Sequence, residues 1–447
     1  MSSITPVRPE SAPGPILNHL HLTEIALDDL VIPARELRKH PASQIRKLAK
    51  SIERFGFVTP ILVDARGEVI AGLARIAAAR KLGRSHAPAI RVEHLSEDEI
   101  RAYRIADNKL AEEASWDLDA LRVEIGELID LDFDMEAIGF EVAEIDVLLD
   151  DGDSGEDVPI PETPSNPVTR AGDVWQIGPH RLVCGDSLMA DTYDALLGTE
   201  AVDAVFTDAP YNVPVDKHVC GLGKVKHREF AMASGEMSEE AFAEFLRTVH
   251  EHLATRMKPG GIAFSCMDWR SISPLIEAGQ ACGLALINLA VWDKGTGGMG
   301  SLYRSQHELV CVFKKPGASH RNNVELGKHG RNRTNVWAYP GCNGGSKERG
   351  ELLKLHPTVK PTALIADALR DVTARGEIVL DVFGGSGSTL LAAEQTARVA
   401  RLVEIDPAYC DVIIERVRQA LGLEAVLEAT GETFAQVREA RGGDNEQ

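Results

Sequence analysis

Residues 378–389 read Ile378-Val379-Leu380-Asp381-Val382-Phe383-Gly384-Gly385-Ser386-Gly387-Ser388-Thr389. A near-continuous apolar run fits a strand buried on both faces, and three glycines within four positions then impose a tight turn into a helix. A strand covered on both faces belongs to a mostly parallel sheet. Further apolar runs lie near 182–184, 202–207, 261–266, 287–292, 309–313 and 401–405, with helical patterns between them at 239–256 and 362–373. The expected fold is therefore α/β, a mostly parallel sheet with helices on both faces. The glycine turn itself permits close backbone approach to a ligand and exposes a helix N-terminus. It is not a Walker loop, because no lysine follows Gly387. Val403-Glu404-Ile405-Asp406-Pro407 ends the next strand with an acid, and an acid there can accept both hydroxyls of a ribose. Turn and acid together point to a nucleotide-like cofactor.

A second strand end carries the complementary chemistry. Val202-Asp203-Ala204-Val205-Phe206 leads into Thr207-Asp208-Ala209-Pro210-Tyr211-Asn212. An acid, a proline and an aromatic then stand on the turn after a buried strand, where they can grip a flat, amine-bearing ring. The lone pair of an adenine amine is delocalised into the ring, so the amine is a poor nucleophile. Two acceptors, the Asp208 carboxylate and a nearby main-chain carbonyl, draw the nitrogen toward tetrahedral geometry. Tyr211 can stack on a base that has left the duplex. The competing reading is an ordinary acidic turn of an α/β sheet.

The whole chain sets the frame for both turns. Its 447 residues suffice for two domains, and 44% hydrophobic with 26% charged residues is a soluble globular composition. No run approaches a membrane span, and the proline-bearing start lacks a signal-peptide core. Seven cysteines without a C-x-x-C pair suit a reducing cytoplasm. The net charge of −20 is uneven. Residues 111–157 hold 18 acidic residues against the single Arg122, whereas residues 314–354 hold nine basic against three acidic. One region can repel DNA while another grips it.

The expected order is a disordered leader over 1–15, an α+β unit over 16–110 and an acidic helical extension over 111–150. A Pro-rich linker over 151–170, a catalytic domain over 171–422 and a C-terminal tail over 423–447 follow. In the first unit, Ser43 is an N-cap candidate, 61–63 and 69–71 read as strands, Gly83 closes a helix begun at Gly72, 92–95 reads as a strand and 97–110 as a helix.

Asp208-Ala209-Pro210-Tyr211 resembles the D-P-P-Y motif of DNA amino-methyltransferases. Phe383-Gly384-Gly385-Ser386-Gly387 resembles their F-x-G-x-G S-adenosylmethionine motif, and His356-Pro357-Thr358-Val359-Lys360-Pro361 is similar to the H-P-T-x-K-P segment before it. The order, catalytic motif first, is that of the beta group. The resemblance covers about 171–422. It implies a methyltransferase sheet with one antiparallel strand, taken as Leu309–Phe313. It also implies cofactor contact by Asp381, Phe383, Gly385 and Gly387, ribose contact by Glu404, and Lys360 and Pro361 beside the methionine end. Asp186 resembles the acid near the cofactor adenine. An acid at the head of the motif favours N6 of adenine over N4 of cytosine, where serine is usual. The implied partner is double-stranded DNA.

Ala209 departs from the motif. It keeps the carbonyl that serves as second acceptor but loses the ring that fixes φ, and it gains an N–H. Pro210 still biases it toward extended geometry. The expectation is that chemistry survives but slows, with an inactive DNA-binding relative as the sharper alternative.

Residues 314–355 sit where this group places target recognition. Arg321, Lys328, Arg331, Arg333, Lys347 and Arg349, interleaved with Asn322, Asn323, Asn332, Asn335 and Trp337, suit phosphate anchoring and base reading. The loop 217–228, with Lys224 and Lys226, can close over a flipped base. His218, Cys220 and His227 lack a properly spaced fourth ligand, so no metal is expected.

The first unit resembles the ParB-like nuclease domain fused to methyltransferases in phages and prophages. The matching residues are Ile32-Pro33, Ser51–Gly56, Ile70-Ala71-Gly72, Arg75 and Tyr103–Leu110. Leu73 replaces a polar residue of the relatives, which puts nucleotide hydrolysis and nuclease activity in doubt. Gly72 and Arg75 can still hold phosphate, and the plainer role is a DNA-docking or dimerising module, in which case the protein is a homodimer. The acidic stretch is expected to limit nonspecific DNA contact. Neutralising its carboxylates should raise nonspecific affinity and steepen its salt dependence, as binding titrations at several salt concentrations would show.

Overall fold

The computed structural model describes residues 21–131, 133–149, 158–212, 237–297, 302–324, 331–341 and 360–442. The chain divides into two units, Met1–Leu149 and Asp150–Gln447.

In the first unit β1 (Leu22–Ala26), β2 (Ile61–Val63), β3 (Val69–Ala71) and β4 (His86–Arg91) form a sheet ordered β1-β4-β2-β3. Only β2 and β4 run parallel. Its core joins Ile25, Leu27, Ile61, Val63, Val69, Ile76, Ala87 and Ala89. The strand expected over 92–95 lies earlier, at His86–Arg91. Pro88 and two small alanines disguise it, yet Ala87 and Ala89 are fully buried between two neighbours. Ser43 is not the cap of its helix; Ala42–Phe55 begins one residue earlier, after Pro41. Gly83, at φ 69°, follows the helix Leu73–Lys81 as expected. The acidic stretch is folded into helices Leu118–Asp130 and Val142–Leu149. Asp117 caps the first through Ala120 N–H, and Arg122 Nε donates to Leu148 O at 2.8 Å. Lys47 pairs with Glu141 at 3.0 Å, so part of the charge is met within the unit.

The second unit is built on ten strands: β5 (Val174–Ile177), β6 (His180–Cys184), β7 (Val202–Asp208), β8 (Met257–Met267), β9 (Ala285–Asp293), β10 (His307–Lys314), β11 (Val336–Ala338), β12 (Ile378–Asp381), β13 (Val399–Glu404) and β14 (Ala425–Leu427). Their order is β11-β9-β10-β8-β7-β12-β13-β6-β5-β14. β8, β7, β12, β13 and β6 are parallel, and β10 runs antiparallel to both β8 and β9, as expected. Beyond the expected sheet, β5 forms a hairpin with β6 and adds a reversed strand near one edge, to which β14 pairs.

Alternation along each central strand fills two cores. Phe206, Ile262, Phe264, Val379 and Leu402 face one, with Leu364, Leu369, Leu390 and Ile413 from helices Thr362–Val372, Ser388–Gln395 and Pro407–Leu421. Val205, Ala263, Leu380 and Val403 face the other, with Tyr193, Phe242, Phe245 and Leu275 from helices Ala190–Leu197, Glu239–Arg256 and Ile272–Ala281. Both faces are thus apolar, which is why these strands read as continuous runs. From β7 the chain steps outward to β8, whereas from β12 it steps the other way to β13. The β7/β12 boundary is therefore a topological switch point, where ligands of open α/β sheets bind.

Two assignments of the sequence are corrected. Residues 158–170, read as linker, are packed: Ile160 and Val168 are buried, and Asp411 accepts from Val168 N–H at 2.6 Å and Thr169 N–H at 3.0 Å. The stretch from 423, read as a tail, continues the fold through β14 and the helix Phe434–Gly442. Phe434 meets Trp175 edge to face at 5.3 Å, and Arg441 pairs with Asp173. The signal was weak because the strand has three residues and its partners lie about 250 residues upstream.

Close packing under β10 gives a direct check. A Cβ on Gly279 would lie 2.6 Å from the Phe313 ring. Gly279→Ala is expected to destabilise the unit by about 1–3 kcal/mol, measured by chemical denaturation.

Candidate active site

β7 ends in Asp208 and β12 in Asp381, so the switch point places the two sequence motifs side by side. Asp208 Oδ2 accepts from Lys360 Nζ at 2.6 Å, and its Oδ1 accepts from Tyr211 OH at 2.7 Å. Lys360 Nζ also reaches Glu308 Oε1 at 3.1 Å and Tyr211 OH at 3.2 Å. Tyr211 OH contacts Glu308 Oε1 as well. Lys294 Nζ meets the other Glu308 oxygen at 2.9 Å and stands over the Trp292 ring. β10 delivers Glu308 here because a strand antiparallel to β8 begins where the parallel strands end. Ala209 is buried in the apolar cluster beneath Tyr211. Asn212 takes φ 55°, and its amide bonds Met237 in both directions, at 2.8 and 3.2 Å, which joins the turn to the start of the helix Glu239–Arg256.

The electrostatics separate the two carboxylates. Burial raises the Asp208 pKa, Lys360 opposes that shift, and Glu308 adds to it. Burial acts the same way on Glu308, but Lys360 and Lys294 outweigh it and hold the group at about 2. Glu308, with two ammonium partners, is the ionised member; Asp208, with one, protonates first. Burial works against the Lys360 cation, but Asp208 and Glu308 outweigh it and keep the proton on nitrogen. Burial also holds Cys266, at the end of β8, as a thiol. It is no nucleophile for this site.

The glycine turn is braced from within. Gly385 N–H donates to Glu404 Oε2 at 2.7 Å, Asp406 N–H to Glu404 Oε1 at 2.9 Å, and Thr389 Oγ1 to Asp381 Oδ2 at 2.6 Å. Gly385 and Gly387 take φ of 52° and 82°, values that favour glycine. Arg416 Nη1 supports the turn from below, donating to Ser386 O at 2.9 Å. Phe383 packs on Phe245, with ring centroids 5.9 Å apart. Burial pushes both Asp381 and Glu404 up to about 7. Asp186 follows β6 and accepts from Leu188 N–H at 2.9 Å.

Sequence reasoning missed Glu308 and Lys294; Lys360, expected with Pro361 beside the methionine end of the cofactor, donates to Asp208 and Glu308. Glu308 had a signal: an acid at the mouth of an apolar strand, as at Asp208. The basic segment needs correction. Arg331 binds Asp371 at 2.7 Å, and Arg333 binds Asp367 at 3.0 Å and Tyr339 OH at 2.7 Å. Both arginines are largely buried and pin the segment to the helix Thr362–Val372, so they are not phosphate contacts. Asn323 and Trp337 are buried too, and Asn323 donates to Arg370 O and Thr373 O. Arg321 pairs with Glu377 at 2.9 Å on the surface. Lys224, Lys226, Lys328, Lys347 and Arg349 lie outside the described residues, as do residues 217–228 and 356–359.

In the first unit, Gly72 takes φ 109° at the N-cap of Leu73–Lys81 and approaches Ile61 too closely for any Cβ. Beside it a cavity of about 220 Å³ is lined by Arg35, Arg38, Arg75, Arg104, Asp107 and Asn108 among others. Arg75 Nε is buried without a partner among the described residues, and burial lowers its pKa. Arg104 is committed to Glu68 at 2.8 Å. Arginines gathered at a helix N-terminus suit an anion, with Asp107 the acid that acts on Arg75.

Residues 202–415 match the family model described as DNA methylase, residues 17–109 the ParB N-terminal domain, and residues 119–171 the ParB-methyltransferase HTH domain. The chain is 25% identical over 251 residues to the type II methyltransferase M.HpaI of Haemophilus parainfluenzae, covering 53% of this chain and 73% of that protein. A putative DNA modification methylase from Thermus thermophilus, solved with S-adenosyl-L-methionine, is 21% identical with a TM-score of 0.39, over 57% of this chain and 96% of that one. The cytosine-N4-specific PvuII DNA methyltransferase is 15% identical with a TM-score of 0.42, over 63% and 94%. By the family model, residues 202–415 of the second unit are a DNA methylase domain. Residues 17–109 match a ParB-like domain, so the chain carries both a ParB-like and an N6/N4 DNA methylase domain. No helix among the described residues is long and apolar enough to cross a membrane.

The buried carboxyls predict a pH response. A carboxyl with a folded pKa near 7 stabilises the fold when protonated. That contribution is complete below the unfolded value of about 4.3 and is lost as pH rises through about 7. Glu404→Gln should therefore flatten the fall in melting temperature of the cofactor-free protein between about pH 4.5 and 8.

Proposed function

We propose that this protein transfers a methyl group from S-adenosyl-L-methionine to the exocyclic N6 amine of adenine in double-stranded DNA. The observation that carries the reading is Asp208 at the end of β7, beside the glycine turn of β12 at the switch point. When bound, the cofactor supplies an electrophilic methyl on a sulfonium. The residues present fit it. Glu404 and Asp381 are buried carboxylates whose hydrogen-bond partners include neutral backbone and hydroxyl donors, which suits further hydroxyl donors of a ribose. Gly385 and Gly387 leave the backbone open to close approach, Phe383 flanks the turn, and Asp186, after β6, would meet the adenine end.

The chain then works on the base. Asp208 and the Ala209 carbonyl accept the two amine hydrogens and aim the nitrogen lone pair, and the Tyr211 ring holds the flipped base. As the N–C bond forms, the amine sheds a proton, and Asp208, with a pKa raised by burial, is the carboxylate suited to take it. The acid at 208, where N4 enzymes with this motif usually carry serine, favours adenine. Ala209 does not leave Asp208 loose, because Lys360 and Tyr211 hold both its oxygens. The ParB-like unit docks DNA or pairs two copies, and the protein acts in the cytoplasm.

Unmethylated genomic DNA with labelled cofactor, followed by modification sequencing, tests the reading. N6-methyladenine at a defined sequence is expected, with a loss of about 100- to 1000-fold in Asp208→Ala while cofactor binding persists. N4-methylcytosine would move the assignment to cytosine, and unlabelled DNA would leave a ParB-like binding protein. Because Asp208 is already held by both oxygens, Ala209→Pro should leave the single-turnover rate within about twofold of wild type; a rise of about tenfold or more would show that the missing ring limits it.

A further inference from the structure

Asp208 is doubly occupied: Tyr211 OH holds Oδ1 and Lys360 Nζ holds Oδ2. An incoming base amine competes with these donors for the same two oxygens. In a buried site a displaced ammonium or hydroxyl is strongly disfavoured unless another acceptor is in place. One is. Glu308 Oε1 already contacts both Lys360 Nζ and Tyr211 OH, and Lys294 fixes its other oxygen from the far side.

We infer that Glu308 is a positioning residue that receives Lys360 and Tyr211 when the base amine takes over Asp208. The inference rests on the methyl-transfer reading above and extends it to a residue that neither sequence motif contains. Glu308 never needs to touch the base. The exchange needs no water, and the site conserves its charge: two carboxylates and two ammonium groups before and after. Lys294 also links the device to the neighbouring segment, since its carbonyl accepts from Gly341 N–H at 3.1 Å and Trp292 Nε1 donates to Tyr339 O.

The geometry gives a pH signature. The groups facing Asp208 are Lys360, Tyr211, Glu308, Cys266 on β8 and Asp381 on β12. Glu308 pushes the Asp208 pKa up, so removing its charge lowers that pKa. If transfer needs ionised Asp208, the acid limb of the rate profile must move to lower pH.

The test is single-turnover methylation by wild type, Glu308→Gln and Glu308→Asp across pH, with thermal melts as a folding control. In Glu308→Gln, Lys360 has only Asp208 as an anionic partner and is released less readily. The rate should fall at least about tenfold, KM for the cofactor should stay within about twofold, and the acid limb should shift down. Glu308→Asp, which keeps the charge, should recover part of the rate and restore the limb. A Glu308→Gln rate equal to wild type, or a slower rate with an unmoved acid limb, would overturn the inference while leaving the methyltransferase reading intact. A wild-type protein that methylates neither base would overturn both.

Discussion

One ammonium buried between two carboxylates organises the catalytic face. Lys360 is 5% exposed, and taking such a cation out of water costs several kcal/mol before any partner is counted. Asp208 and Glu308 offset that cost and, between them, tie three separated pieces of chain together: the end of β7, the start of β10 and the entry to the helix Thr362–Val372. Removing Lys360 would leave Asp208 without its ammonium partner. The turn, the reversed strand and the helix are therefore specified as a set.

The sheet explains why those three pieces meet. β10 must run backwards for its first residues to lie where β7 ends, and the chain must reverse its direction of travel between β7 and β12 for the glycine turn to stand next to Asp208. The two chemical halves then divide naturally. Asp381, Glu404 and the glycine turn bring buried carboxyls together with neutral donors, a set that suits hydroxyl-rich ligands. Asp208, Tyr211, Lys360 and Glu308 form a charged cluster, which under the proposed reaction would draw an amine out of conjugation and take its proton.

Much of this was legible in the chain. The central strands announce themselves because alternate residues enter two different apolar cores, as Val205 and Phe206 do, so no polar face interrupts them. The motifs at 208 and 383 mark strand ends, and strand ends are where this architecture binds ligands. What escaped did so for physical reasons. β4 is built from small residues and a proline, and its burial comes from strands on both sides rather than from its own hydrophobicity. Arg331 and Arg333 read as free cations because their partners, Asp367 and Asp371, lie more than 30 residues downstream on a helix. A charge count cannot tell a phosphate clamp from an internal ion-pair network. Glu308 was passed over although its setting, an acid opening an apolar strand, is the same signal that drew attention to Asp208.

The central claim is that Asp208 is the acceptor of the target amine and that its present partners step aside onto Glu308. A structure with S-adenosyl-L-homocysteine and duplex DNA containing the methylated site would test it most directly. The account predicts a flipped adenine with N6 within hydrogen-bond distance of Asp208 and the Ala209 carbonyl, and Lys360 bound to Glu308. An adenine amine held elsewhere, or Lys360 still closing Asp208 in the presence of the base, would contradict it.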